Sequence, residues 1–171
     1  MKKFKPYIMA AMFAAIIFIF TFTTNLRLPL PNGGYLHFGD SMIYLSALLI
    51  PTPFAIVAAA IGAGLADLLS GAVIWMPFTL IIKALMAFAF IGCFNSSKLL
   101  TVTTTIRAVI ASGINIVLYY FAEAIIMSNI AAPLATLSFN LIQSGGSFVI
   151  FVLIALALDK VKFKDTLKRI S

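Results

Sequence analysis

The sequence has few charged residues, which soluble proteins expose to water, and few of the side chains that bind metals. Charged side chains make up 10% of its 171 residues, and it has five acidic residues, one histidine and one cysteine. Soluble domains carry about 25% charged residues. The single cysteine, Cys93, excludes an internal disulfide and a thiolate metal cluster, and the single histidine, His37, excludes a multi-histidine site. We therefore expect no metal and no cofactor bound by this chain.

Sequence motifs of catalysis are also missing. The chain has no glycine-rich phosphate loop, no HExxH and no Gly-x-Ser-x-Gly. Its net charge of +7 comes mainly from lysines and arginines near the two ends rather than from a basic domain face, so nucleic-acid binding is not expected. We predict that the chain is not an enzyme and that any ATP hydrolysis coupled to it is supplied by partner ATPase subunits.

Apolar residues dominate the chain. Hydrophobic residues make up 63% of it and the mean hydropathy is +1.12. A membrane helix needs roughly 20 apolar residues, so the length accommodates about six spans with short loops. We predict an all-α integral membrane protein, a six-transmembrane-helix bundle that forms a single domain over residues 1–171. The predicted helices cover residues 6–24, 40–50, 54–69, 78–93, 100–126 and 134–158.

A long loop is predicted between helices 1 and 2, over residues 25–39. Two prolines and two glycines lie between positions 29 and 34, and this density stops a helix and forces turns. Asp40 and Ser41 follow directly and offer an N-cap for the second helix.

The distribution of positive charge predicts the orientation. If six helices cross the membrane, Lys98 and Arg107 fall on the same side as the basic residues of both termini, whereas Arg27 falls on the opposite side. Positive residues concentrate on the cytoplasmic side, so both termini are expected there, next to anionic lipid headgroups. The first apolar stretch is longer than the core of a signal peptide, and we expect it to be a retained first helix.

Polar side chains converge in the outer half of the predicted bundle. Inserting an ionisable residue into a bilayer costs roughly 2.5–3.5 kcal/mol on insertion scales, so a residue of this kind is expected to have a function or a partner. Two helices carry polar residues three or four positions apart, which places them on one face. These stripes are Ser112, Asn115, Tyr119 and Glu123 on helix 5, and Asn140, Gln143, Ser144 and Ser147 on helix 6. Facing each other, they would line a pocket open to the outside and suited to a small, polar, largely uncharged ligand.

Structural interpretations of the same residues stay open. Buried amides such as Asn115 and Asn140 also join membrane helices without a ligand. Lys83 can pair with Asp67 or Glu123, or extend its amine outward to the interface.

Three further candidates have similar alternatives. Asp40 suits a helix cap as well as a ligand contact, and His37 suits a hydrogen bond within the loop. Trp75, like the tyrosines, suits an anchor at the membrane interface.

Three blocks of the sequence resemble a known family. They are GYLHFGDSMIYLSALLIP, AAAIGAGLADLLSG and MPFTLIIKALMAF. Together with the six-helix count, they make the chain similar to the substrate-binding (S) components of energy-coupling factor (ECF) transporters, small membrane proteins that capture vitamins for bacterial uptake. The resemblance spans about residues 6–160 and is most specific over residues 33–92.

The resemblance implies a multi-pass protein of the bacterial cell membrane that binds one vitamin near its extracellular side, under a gate formed by the loop between helices 1 and 2. It also implies that helix 1 docks on a transmembrane coupling (T) component, itself bound to two ATPase subunits, through the motifs Ala10-x-x-x-Ala14 and Ala11-x-x-x-Ala15. From the stripes and the resemblance together, the expected substrate-binding residues are His37, Asp40, Trp75, Phe78, Lys83, Asn115, Tyr119, Glu123, Asn140, Gln143 and Ser144.

The block pattern is nearest to the pyridoxine or hydroxymethylpyrimidine subgroup, with riboflavin next. A flat ring of this kind is suited to stacking on aromatic side chains. The aromatic candidates are Trp75, Phe78, Tyr119 and Tyr120. A multiply anionic ligand such as folate is not expected, because the outer half offers few cations beyond Arg27 and Lys83.

Two other classes of function remain as hypotheses. One is a stand-alone transporter or channel coupled to protons through Asp67, Lys83 or Glu123. The other is a membrane enzyme or a structural subunit that binds no small ligand.

Overall fold

The computed structural model describes residues 4–26, 35–96 and 98–170, with side chains described up to residue 167. Within these ranges the chain is helical, and its only extended pairing is an isolated antiparallel bridge between Leu26 and Leu36. The α-helices are α1 Lys5–Thr23, α2 Asp40–Leu49, α3 Thr52–Leu69, α4 Met76–Phe88, α5 Val102–Ile126, α6 Leu137–Lys160 and α7 Phe163–Ile170. Short 3-10 helices, Cys93–Asn95 and Ala132–Ala135, precede α5 and α6.

Four helices of the described chain, α1, α3, α5 and α6, are long and apolar enough to cross a membrane. This confirms an all-α, multi-pass design. The other two apolar helices have 10 and 13 residues, which at 1.5 Å per residue make about 15 and 20 Å. A hydrocarbon core is about 30 Å thick, so α2 and α4 are too short to cross it unaided, and six spans stay a prediction.

Helix α2 lies in the middle of the bundle and is buried on every side. All ten of its residues are buried, and it packs against α1, α3, α4 and α6. Most of its residues are apolar, as expected for a helix buried on all sides, and Asp40, Ser41 and Ser46 are its polar exceptions. The expected N-cap was wrong: Gly39 occupies the N-cap position, and the Asp40 side chain makes no cap hydrogen bond. Its carboxylate pairs instead with a lysine described below.

Helices α1 and α3 pack closely through small residues. A Cβ atom on Gly62 would lie 2.6 Å from the carbonyl oxygen of Ala14 and 2.9 Å from Ile17 Cβ. Only glycine therefore lets the two helix backbones approach so closely. Small residues promote helix association in lipid in this way. This contact fixes α1 against the bundle and positions the start of the loop that follows it.

The end of α4 differs from the prediction. The helix was expected to continue to residue 93, because residues 89–93 are almost wholly apolar. It ends at Phe88, and the turn that follows contains Gly92 with φ +82°, which starts the 3-10 helix Cys93–Asn95. Glycine adopts this left-handed conformation without steric cost, so a single residue overrides the continuous apolar run.

Candidate ligand-binding site

A cavity lies at one end of the bundle, between the segment that leads into α2 and the ends of α3 to α6. Its volume is about 50 Å³, small beside the roughly 300–1,000 Å³ of most small-molecule pockets. A ring-sized ligand therefore enters only if part of the wall moves, and the longest continuous part of the wall outside the helices is the segment 35–37. The lining residues are Tyr35, Leu36, His37, Asp67, Trp75, Thr79, Tyr119, Glu123, Thr136, Phe139, Asn140 and Gln143.

Six of the eleven predicted binding residues line this cavity. They are His37, Trp75, Tyr119, Glu123, Asn140 and Gln143. Phe78 is half-buried and packs against the core away from the lining, so it does not form part of the wall. Tyr120, expected to stack on a ligand, also lies off the wall, and its hydroxyl donates to the carbonyl of Ile130 at 2.8 Å.

The other four predicted residues form a buried layer behind the cavity. Lys83 Nζ lies 2.6 Å from Asp40 Oδ1, and both side chains have 0% exposure. The same ammonium donates to Asn115 Oδ1 at 2.7 Å, and Asn115 Nδ2 donates to Ser144 Oγ at 3.2 Å. Four helices, α2, α4, α5 and α6, are thus joined by one polar cluster.

This cluster corrects two interpretations of Lys83. It does not pair with Asp67 or Glu123, and it does not extend to the interface. The reason is the central position of α2, which places the Asp40 carboxylate beside the lysine in the middle of the bundle. The positive charge is therefore neutralised within the fold and is not part of the cavity wall.

Gln143 connects the cavity with this buried pair. Its Oε1 accepts the backbone N–H of His37 at 3.2 Å, and its Nε2 donates to Asp40 Oδ2 at 3.4 Å. A displacement of the segment 35–37 breaks the first bond and leaves a buried amide with an unpaired acceptor.

Two carboxylates line the cavity, and each accepts a hydrogen bond from a hydroxyl group. Tyr35 donates to Asp67 Oδ1 at 2.7 Å, and Thr136 donates to Glu123 Oε2 at 2.6 Å. No lysine or arginine lines the cavity within the described part of the chain. The wall is accordingly acidic and rich in hydrogen-bond acceptors.

Two buried polar atoms of the wall form no hydrogen bond with any described residue. They are Asp67 Oδ2 and Trp75 Nε1. A buried polar group without a partner costs about 1–3 kcal/mol, so a hydrogen bond from either atom to a ligand or a water is favourable. The Trp75 ring lies 6.0 Å from the Tyr119 ring, which gives the same wall a flat aromatic surface.

Six lining residues were absent from the predicted binding set: Tyr35, Leu36, Asp67, Thr79, Thr136 and Phe139. Helical spacing could have identified Thr79, which lies four residues after Trp75 and four before Lys83. Its hydroxyl forms a hydrogen bond with the hydroxyl of Tyr119 at 2.7 Å. Thr136 had no such signal, because it was placed inside helix 6, whereas it follows a 3-10 helix and precedes α6.

Two further contacts hold the segment leading into α2 in place. Leu26 and Leu36 exchange two backbone hydrogen bonds, at 2.7 and 3.1 Å. The ring of Phe38 lies against the bare backbone of Gly146 in α6, where any Cβ atom would collide with it. Of the predicted loop over residues 25–39, the positions 27–34 lie outside the described residues.

Comparison with known proteins decides the family. A family model described as "ECF-type riboflavin transporter, S component" matches residues 1–160. The chain belongs to this family. It is also 32% identical to an "Uncharacterized protein in gap 3'region" of Pyrococcus woesei over 136 residues, which are 76% of this chain and 87% of that protein. No solved structure matches the chain.

Membership confirms the resemblance to ECF S components and identifies the chain as a membrane vitamin-transporter subunit of that type. It does not confirm the pyridoxine or hydroxymethylpyrimidine subgroup, since the description of the matching family names riboflavin.

The alanines expected to dock on a T component lie on two sides of α1 in this S component. Ala10 is buried in the core and Ala14 is half-buried, next to Gly62 of α3. Ala11 and Ala15 are exposed. Of the two motifs, only Ala11-x-x-x-Ala15 is therefore open to another protein.

His37 belongs to the wall and stays neutral there. Burial, with a smaller effect from Lys83, lowers its pKa from 6.5 to about 4, although Asp40 acts in the opposite direction. Its Nδ1 accepts the backbone N–H of Gly39 at 3.1 Å, a bond that protonation of Nδ1 abolishes. Docking of the segment 35–39 thus depends on the neutral ring.

Acid is expected to open this segment. An undocked His37 has the ordinary pKa of 6.5, so the undocked form takes up a proton first. Docking is fully stabilised above pH 6.5 and loses that stabilisation progressively as the pH falls from 6.5 to about 4. Between pH 7.5 and pH 5.5 the undocked population of the native chain should rise about tenfold, whereas that of a His37→Asn variant should not rise in this way. Amide hydrogen exchange of residues 35–39, taken as the ratio of the two proteins at each pH, measures this. A ratio that is constant with pH would contradict it.

Proposed function

We propose that this S component captures a neutral vitamin rich in hydrogen-bond donors, riboflavin foremost, and delivers it inward together with a T component and two ATPase subunits. The observation that carries the proposal is the charge of the cavity wall, which holds Asp67 and Glu123 but no cation among its described residues. Hydroxyl and imide donors of a neutral vitamin match these acceptors, whereas a phosphate or carboxylate group is repelled by them.

Family membership supports riboflavin, and the aromatic surface of Trp75 and Tyr119 supports a flat ring. The second candidate is the pyridoxine or hydroxymethylpyrimidine type, which the small cavity favours because a single ring displaces less of the wall. Both are neutral molecules with hydroxyl donors, so the charge argument applies to either.

Orientation and assembly follow from the charges at the opposite end. We place the cavity on the extracellular side and both termini in the cytoplasm, because basic residues are concentrated at the end away from the cavity. The chain has no catalytic role in this proposal: it binds the vitamin, while partner ATPases supply the free energy for release.

The test compares each vitamin with its phosphorylated form. Purified protein is titrated with riboflavin, riboflavin 5'-phosphate, pyridoxine and pyridoxine phosphate, with tryptophan and flavin fluorescence and calorimetry as readouts. We expect one neutral vitamin to bind at least about tenfold more tightly than its phosphate ester. The variant Asp67→Asn should narrow this ratio, whereas Asp165→Asn, which removes an exposed carboxylate of α7, should leave it unchanged.

Equal binding of both forms, or binding of neither, would overturn the proposal. If no vitamin binds at all, a stand-alone proton-coupled transporter becomes the better candidate, and solute uptake by this chain alone in proteoliposomes under a pH gradient would show it.

A further inference from the structure

A second, larger recess lies on the outside of the bundle between α4 and α5. Its volume is about 430 Å³, and apart from one arginine its wall is apolar, formed by residues such as Leu85 and Phe88 of α4 and Ile114 and Leu118 of α5. Gly113 lies in the middle of the recess and leaves it unfilled, since a Cβ atom at this position would meet no atom within 4 Å. The recess is therefore a groove into which an extended apolar molecule fits.

One end of the groove carries a positive charge. Arg107 is half-buried, and its Nη1 donates to the carbonyl oxygen of Ala89 at 2.8 Å. No carboxylate of the described residues forms an ion pair with it. A guanidinium has five N–H donors in a planar fork suited to phosphate, and the contact with Ala89 leaves most of them available.

The groove is separate from the ligand cavity. On α5, Arg107 precedes Glu123 of the cavity wall by sixteen positions, about 24 Å along the helix. From Arg107 to Leu118 the groove runs about 16 Å in the direction of the cavity end. The groove is apolar along its length and carries a cation at the end farther from the cavity, where the basic residues of the chain lie.

We propose that the groove is a binding site for one anionic phospholipid, with an acyl chain along α4 and α5 and the phosphate on Arg107. The groove lies beside the last turns of α4, and its wall exposes large apolar side chains of both helices, among them Phe88 of α4 and Ile110 and Val117 of α5. In a bilayer such a surface is in contact with acyl chains. Basic pockets between membrane helices are known to bind anionic headgroups.

The test uses the full chain in nanodiscs of phosphatidylcholine and phosphatidylglycerol in equal amounts. After transfer to detergent, native mass spectrometry counts the lipids retained per protein. Gly113→Leu fills the groove and is expected to reduce all retained lipid to the level of non-specific carry-over. Arg107→Gln is expected to reduce the preference for phosphatidylglycerol about tenfold while phosphatidylcholine is still retained, because a hydrogen bond to a charged group is lost.

Matched variants separate this site from general effects. Gly145→Leu makes the same change at an exposed helical glycine of α6 that also has open space around it, and Lys160→Gln removes an exposed cation outside the groove. Both should retain lipid like the native chain. If Gly113→Leu and Gly145→Leu retain lipid equally, or if Arg107→Gln keeps the full preference, the site does not exist. Thermal melting of every variant checks that each one is folded.

Discussion

Replacing Lys83 by methionine is expected to lower the free energy of unfolding by about 3–5 kcal/mol. The substitution keeps most of the side-chain volume but removes the cation that pairs with Asp40, whose carboxylate has 0% exposure. It also removes the donor to Asn115. Breaking one partner of a buried pair leaves an uncompensated charge, which costs more than the pair itself contributes. Thermal unfolding in a mild detergent, followed by tryptophan fluorescence, measures the change.

The double variant Asp40→Asn with Lys83→Met distinguishes the charge from the packing. With both charges gone, no ion is buried alone. The asparagine introduced at position 40 can still accept the Gln143 amide through its side-chain oxygen, so most of the lost stability should return. If the double variant is less stable than Lys83→Met alone, the loss comes from packing around the lysine, and the unpaired carboxylate is not its cause.

The helices could be predicted because apolar runs and their interruptions are local properties of the sequence. Helix α3 was expected over 54–69 and covers Thr52–Leu69, starting just after Pro51. Helix α7 was not predicted, because the last predicted helix ended at residue 158 and the basic residues after it were expected only to lie next to lipid headgroups. Phe163 and Leu167 lie four apart and give that segment one apolar side, a signal too short to separate from chance in eight residues.

The polar stripe of helix 5 was predicted correctly as one inward face, because a period of 3.6 fixes relative directions along a helix. Asn115, Tyr119 and Glu123 all form hydrogen bonds to residues outside α5. Partners could not be predicted in the same way. That Lys83 meets Asp40 depends on how deeply α2 sits in the bundle, which is a property of all the helices packed around it.

The largest effect on ligand binding is expected from Gly146→Leu in α6. Phe38 rests against the bare backbone at this position, so a side chain there prevents the segment 35–39 from docking over the cavity. Overpacking costs typically 1–3 kcal/mol, which corresponds to a loss of affinity of up to about 100-fold. Because the wall that retains the ligand is the part displaced, the dissociation rate should rise more than the association rate falls. Stopped-flow fluorescence with the vitamin that binds the native chain measures both rates.

The neighbouring glycine is the control for this change. Gly145→Leu adds the same side chain one position away, where no atom lies within 4 Å, and should bind the vitamin as the native chain does. Phe38→Ala combined with Gly146→Leu removes the collision and should restore part of the slow dissociation, since the new leucine then fills the space of the lost ring. If Gly145→Leu weakens binding as much as Gly146→Leu, the effect arises from α6 itself. The contact between Phe38 and Gly146 then does not hold the wall closed.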